Sequence, residues 1–267
     1  MRREKVSIGH KTISYLIADS AAPPVRQRPP STVVFLHAFP LQAAMWEPNL
    51  ATMPDGWRAV VPELRGEAGV RMSDLAGDVI DLLDHLGVTQ AAVVGCSMGG
   101  YVLFEMLKSA PRYVSAAGLI STRPGADNEE GRSNRQKMIA LADASGVEAI
   151  ADQMVPKLLG QATQRERPEL IKQVRNLIVT NTAERVKAFI VAMMERADST
   201  SILAKIDVPT LIAHGAEDTL IPPAEAESMH RAIGRSRLEL ISSSGHLPNL
   251  EQPGVFDEIL RKFLAQV

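Results

Sequence analysis

The chain has 267 residues, of which 45% are hydrophobic and 22% charged, enough for one large folded domain or one domain with an insertion and far from the composition of a disordered chain. Lys and Arg total 29 against 31 Asp and Glu, a formal net charge of -2, so no global field gathers nucleic acid or an anionic membrane. No stretch reaches the roughly 18 apolar residues of a membrane span, no apolar run follows the charged start MRREKVSIGH, and the single cysteine, Cys96, excludes an internal disulfide or a cysteine-built metal site. A cytoplasmic protein is expected.

In chain order, residues 4–18 alternate apolar and polar on both sides of Gly9-His10, as in a hairpin with one buried face. Residues 21–31 are proline-rich and read as an extended surface connection. The run 32–37 (TVVFLH) reads as a buried strand, and similar short runs recur at 59–61, 91–94, 116–120, 210–213 and 238–241. Amphipathic helices over 72–86 and 99–109 lie between some of them. Strand and helix in alternation predict an α/β fold, a mostly parallel β-sheet flanked by helices.

The alternation stops near Thr122 and resumes near Ile206. The interval reads as helical throughout, with helices over 128–143, 147–159, 168–180 and 183–196 broken at Gly146, 160–163 and Asn181. The predicted organisation is a core of residues 1–121 and 206–267 with a helical cap, 122–205, inserted in it.

The chemistry centres on Gly95-Cys96-Ser97-Met98-Gly99-Gly100, which follows the strand run AAVV and opens a helix. A serine at the tip of so tight a strand-to-helix turn is held in strained backbone, at a cost of about 1 to 3 kcal/mol, and only glycine fits at the flanking positions. The turn aims the Met98 N–H, at the positive end of the helix, toward an oxyanion forming beside Ser97. Cys96 is the rival nucleophile, but its place in the turn points it into the core.

Serine needs a base. His10 falls in the hairpin turn, and His85 and His230 on helices; His37, His214 and His246 all follow strand runs, at the edge where parallel sheets gather functional loops. His246 is favoured because it alone lies beyond both the nucleophile and a plausible acid. That acid is Asp218, in His214-Gly215-Ala216-Glu217-Asp218-Thr219-Leu220-Ile221-Pro222, preferred over Glu217 for its spacing from Gly215 and Pro222.

The order Ser, Asp, His, the turn at Ser97, the Gly-x-x-Asp-x-x-x-Pro run and the closing Gly245-His246-Leu247-Pro248-Asn249-Leu250-Glu251-Gln252-Pro253 resemble the α/β-hydrolase superfamily. Within it the chain resembles small carboxylesterases and 3-oxoadipate enol-lactonase-like hydrolases, from His37 to about Phe263. The resemblance implies that His37-Ala38-Phe39-Pro40 supplies the second oxyanion donor, the Phe39 N–H. Ala38 stands where that family usually has glycine; a positive φ there would strain alanine by about 1 kcal/mol. His37 is then expected to brace this loop. A second departure is Glu63 to Ser73, which reads as a trimmed surface loop.

The expected reaction is hydrolysis of small, mainly apolar esters or lactones through an acyl-enzyme, with perhydrolase, acyltransferase, C–C hydrolase or peptidase chemistry, or a ligand receptor with slow turnover, as alternatives. The expected partner is thus a small-molecule ester or lactone. The cap would wall the pocket: Met138, Met154 and Met193, with Trp46 from the loop after 32–37, are candidates to bind substrate, the alternative for each methionine being packing inside the cap. Arg123, Arg132 and Arg135 read as solvated surface rather than as partners of a substrate carboxylate. No cofactor and no metal are expected, since no His-x-x-x-His or cysteine cluster occurs.

Overall fold

The computed structural model describes residues 1–19 and 31–267; the predicted proline-rich connection, 21–31, falls outside the described residues except for Ser31. The chain opens with the hairpin β1 (Arg2–Ile8) and β2 (Lys11–Asp19), paired antiparallel about Gly9, whose φ of 59° suits a turn that a side chain would strain. β3 (Ser31–Leu36), α1 (Glu47–Leu50), β4 (Trp57–Pro62), α2 (Met72–His85), β5 (Ala91–Cys96), α3 (Met98–Ser109) and β6 (Val114–Ile120) follow. Next come the helices α4 (Glu129–Leu158), α5 (Gln161–Glu166), α6 (Pro168–Val179) and α7 (Ala183–Met194). β7 (Thr210–Gly215), α8 (Pro223–Ala232), β8 (Ser236–Ile241), α9 (Pro248–Glu251) and α10 (Pro253–Leu264) complete it.

The described strands form one eight-stranded sheet in the order β1-β2-β4-β3-β5-β6-β7-β8, parallel from β4 to β8 and antiparallel at β1-β2-β4. β5 and β7 are buried at every residue, which is why they read as unbroken apolar runs: helices cover both faces and no position faces water. The chain leaves β3 toward β4 and returns on the other side as β5, so the order reverses between β3 and β5. A crevice opens at the carboxyl ends of strands at such a point, and the loops after β3 and β5 carry Phe39 and Ser97.

Between β6 and β7 the long elements are helical. The break expected at Gly146 is there: α4 turns sharply at this residue, whose φ of 73° and ψ of -171° are not helical. The short α5 occupies much of the expected break at 160–163; six residues are too few for a helical period to show in the sequence. No described helix is long and apolar enough to cross a membrane.

The start of the segment from Glu63 is a docking site for these helices, while Glu67 to Gly69 and Arg71 are exposed, as expected of a surface loop. The Arg185 guanidinium of α7 pairs with the Glu63 carboxylate and donates to the Leu64 carbonyl at 2.9 Å. Asn181 Nδ2 donates to the Pro40 carbonyl at 2.8 Å, pinning the other end of the α6-α7 connection to the loop after β3.

Candidate active site

Ser97 follows β5 with φ 51° and ψ -109°, the strained conformation expected of it. Its N–H donates to the Ile120 carbonyl at 2.8 Å, and Thr122 Oγ1 donates to its carbonyl at 2.9 Å, so the end of β6 holds the turn from both sides. A methyl group at Gly95 would strike the Gly99 carbonyl, and one at Gly99 the Leu36 carbonyl of β3. The glycines therefore let the turn sit directly against the neighbouring strand. Met98 is the first residue of α3, where the amides have no intrahelical acceptor and the helix end is positive. Cys96 is fully buried, and burial with the nearby Asp218 pushes its thiol far up, so its thiolate is not accessible near neutral pH.

Asp218 sits in the loop after β7, which its own carboxylate shapes: Oδ1 accepts the N–H groups of Leu220 at 2.9 Å and Ile221 at 3.0 Å. Oδ2 faces His246 Nδ1 at 2.7 Å and His214 Nε2 at 3.2 Å. Burial pushes this carboxyl up, but His246 and the hydrogen bonds from His214, His246 and Ile221 outweigh it and hold the group well below the usual carboxylate range. His214 Nε2 also lies 2.8 Å from the Ile221 carbonyl, which accepts only, so this nitrogen carries the proton. Glu217, the competing acid, points elsewhere, to the Ala162 N–H at 3.4 Å.

His246 is 2% exposed. With its Nδ1–H donated to Asp218, Nε2 keeps a lone pair. Ser97 and His246 line the same cavity, of about 320 Å³. Phe39 lines it as well.

The loop after β3 is braced as expected. The His37 ring donates from Nδ1 to the Ala38 carbonyl at 3.1 Å and accepts the Leu64 N–H on Nε2 at 3.2 Å. The Ala38 N–H faces Met45 Sδ at 3.2 Å. Non-glycine residues with positive φ among those described are Ser97, Ser121 and Ser243, so Ala38 bears no such strain. Burial pushes the His37 pKa down to about 4, Glu63 opposing and Arg185 adding to the effect. Below pH 6.5 the unfolded chain takes up a proton that the native protein refuses until about pH 4, so stability is expected to fall on acidification through this window, by about 3 kcal/mol in all. Urea unfolding at steps from pH 7 to 4.5 checks this, with His37→Gln expected to flatten the slope; an equal slope in both proteins would refute it.

Met138, Met154 and Met193 line the cavity, whereas Trp46 does not. Trp46 is fully buried, its ring centroid 4.9 Å from Phe35 of β3 and 5.9 Å from Phe256 of α10. The 3-10 turn Ala43–Trp46 rotates it inward, a correction to its expected role in binding substrate.

The lining is also cationic. Arg123, Arg135, Lys137 and Lys157 line the cavity together with Asp127. The Asp127 side chain is 1% exposed and accepts from Arg123 Nη2 and Arg196 Nη1, each at 2.9 Å, and from Arg135. Burial pushes the Asp127 carboxyl up and the arginines more than reverse that, leaving it lowered. One anion thus faces three cations. Arg196 lies 4.1 Å above the Tyr101 ring, and Arg123 Nε is buried with no hydrogen-bond partner among the described residues. Arg123 and Arg135 are thus parts of the cavity wall, not solvated surface arginines. Arg196, distant in sequence from Arg123, gave no local signal that the three would meet.

The chain belongs to the alpha/beta hydrolase fold family, whose model matches residues 31–253. It is similar to 3-oxoadipate enol-lactonase 2 of Acinetobacter baylyi, 25% identical over 88% of each chain. Among solved structures it is similar to a thermophilic esterase from Thermogutta terrifontis, determined with malate bound, at 31% identity and a TM-score of 0.89 over 100% of this chain and 99% of that one. The enol-lactonase from Burkholderia xenovorans shares the fold, with 22% identity and a TM-score of 0.88 over 98% of this chain and 100% of the other.

Proposed function

We propose that the protein is a serine hydrolase that cleaves carboxylic esters or lactones through an acyl-enzyme. The observation that carries this reading is the 2.7 Å contact from His246 Nδ1 to Asp218 Oδ2, in a cavity shared with a serine held at φ 51°. His246 Nε2 takes the Ser97 proton as Oγ attacks the carbonyl carbon, and the N–H groups of Met98 and Phe39 hold the oxyanion. The tetrahedral intermediate collapses to an acyl-enzyme, the leaving alkoxide receiving the proton from His246. Water, deprotonated by the same nitrogen, attacks the acyl group, and Ser97 departs with the proton returned. In a lactone the leaving oxygen stays tethered to the acyl chain. The free buried thiol of Cys96 suits a reducing compartment, in keeping with a cytoplasmic setting.

A panel of nitrophenyl esters combined with fluorophosphonate labelling tests this. Fast turnover with labelling at Ser97 supports it; labelling with negligible turnover indicates a receptor or another acyl acceptor.

The substrate is not mainly apolar on this reading. Lined by methionines and by more cations than the single Asp127 can neutralise, the cavity suits an acyl chain ending in a carboxylate, and the malate-bound esterase relative supports the same reading. Arg123→Met is expected to raise KM for a nitrophenyl half-ester of glutaric acid about 10- to 100-fold, the worth of one charge-assisted hydrogen bond. Its KM for nitrophenyl butyrate should stay within about twofold. Equal effects on both esters would remove the arginines from substrate binding.

A further inference from the structure

Glu251, in α9, is 1% exposed and does not line the cavity. Its carboxylate is spent on backbone amides. Oε1 accepts the N–H of Gly245 at 2.8 Å and of Leu247 at 3.3 Å, the two residues flanking His246. Oε2 accepts the N–H of Gly160, between α4 and α5, at 2.7 Å, and the Thr163 hydroxyl adds to the cluster. The amide between the flanking pair, that of His246 itself, donates to the Leu158 carbonyl at the end of α4, at 3.0 Å. Three consecutive amides around the imidazole are therefore fixed, two by Glu251 and one by the inserted helices.

The contact is close-packed backbone. A Cβ on Gly160 would stand 2.8 Å from the Gly245 nitrogen and 2.7 Å from Glu217 Oε2, and one on Gly215 would strike the Gly245 carbonyl. The loops bearing the imidazole and its acid meet the inserted helices where glycine leaves room for a side chain on none of them. Burying a carboxylate this deeply is costly, and burial does push its pKa up. The same last turns of α4 that end at Leu158 present Met154 and Lys157 to the cavity, so the wall that meets substrate is continuous with the segment that grips the loop.

We propose that Glu251 is a positioning residue that clamps the His246 loop to the cap, so that cap and core together aim the imidazole. This rests on the reading of His246 as base. Glu251→Gln replaces one acceptor oxygen by a donor facing amides that also donate. The expected result is a fall in kcat of about 10- to 100-fold on nitrophenyl butyrate with KM unchanged, the scale set by misplacing a catalytic group by about 1 Å. The rate of fluorophosphonate labelling should fall by the same factor, and the low-field Nδ1–H proton resonance of His246 should broaden or vanish.

Gly160→Ala disturbs the clamp from the cap side with Glu251 intact, and decides the matter if Glu251→Gln does not fold. It should show the same signature in kcat, labelling and resonance. The proposal is overturned if folded variants lose thermal stability alone, with kcat, labelling and resonance unchanged well below the melting temperature. A loss in Glu251→Gln with Gly160→Ala wild-type in all three would overturn the role of the cap. Should Ser97→Ala still take up the label, the nucleophile reading fails, yet the His246 resonance still reports whether Glu251 holds the loop.

Discussion

Ser97→Ala should abolish ester turnover, a loss of about 10⁶ in kcat, and with it fluorophosphonate labelling. The row of groups acts as a unit: without Oγ the imidazole has nothing to deprotonate, and what remains is the weak effect of the oxyanion donors on attack by water. A stability measurement separates the serine from its surroundings. Ser97 holds φ 51°, which costs about 1 to 3 kcal/mol for any residue bearing a Cβ. Alanine keeps that cost and glycine removes it, less about 0.5 to 1 kcal/mol for the added freedom of the unfolded chain. Ser97→Gly is therefore expected to be more stable than Ser97→Ala by up to about 2.5 kcal/mol, melting up to about 10 °C higher, while being equally inactive. Hydrolysis surviving in both variants would move the nucleophile elsewhere; a Ser97→Gly protein melting below Ser97→Ala would show that the turn is not strained.

Asp218→Asn should lower kcat by about 10⁴, less than loss of the serine but far more than a contact with solvent could supply. The carboxylate accepts from four N–H groups, two on the backbone and two on histidines. An amide can satisfy the backbone pair through its oxygen and then presents its NH2 to His246. The imidazole must answer with an acceptor at Nδ1, which moves its proton to Nε2 and leaves no lone pair for Ser97. Labelling should slow with turnover, since both require the same proton transfer. A fall of less than about tenfold would take Asp218 out of the row.

Much of this site is legible in the sequence because its parts are local. The glycines around Ser97 are demanded by contacts of that turn with β3 and α3, and the strands supplying the loops are buried on both faces, so each appears as a short apolar run. What escapes notice is made at long range. Trp46 follows a strand as a pocket residue would, but a single 3-10 turn sends it inward to Phe35 and Phe256. Asp127 and Glu251 look like ordinary polar residues until folding brings three guanidinium groups to one and the amides of two distant loops to the other. Arg185 likewise gains its meaning from Glu63 and Leu64, on a segment far from it in sequence.

The hydrogen bond from the His246 amide to Leu158 bears on how this protein could be re-engineered. Exchanging 122–205 for the corresponding piece of another hydrolase is an obvious route to new selectivity, treating that piece as a detachable roof. Here the roof also carries one of the struts. A chimaera should keep turnover only if the transplanted piece brings a carbonyl in the place of Leu158 and a residue without a side chain in the place of Gly160; point changes at Met138, Met154 or Met193 leave both strut and roof in place.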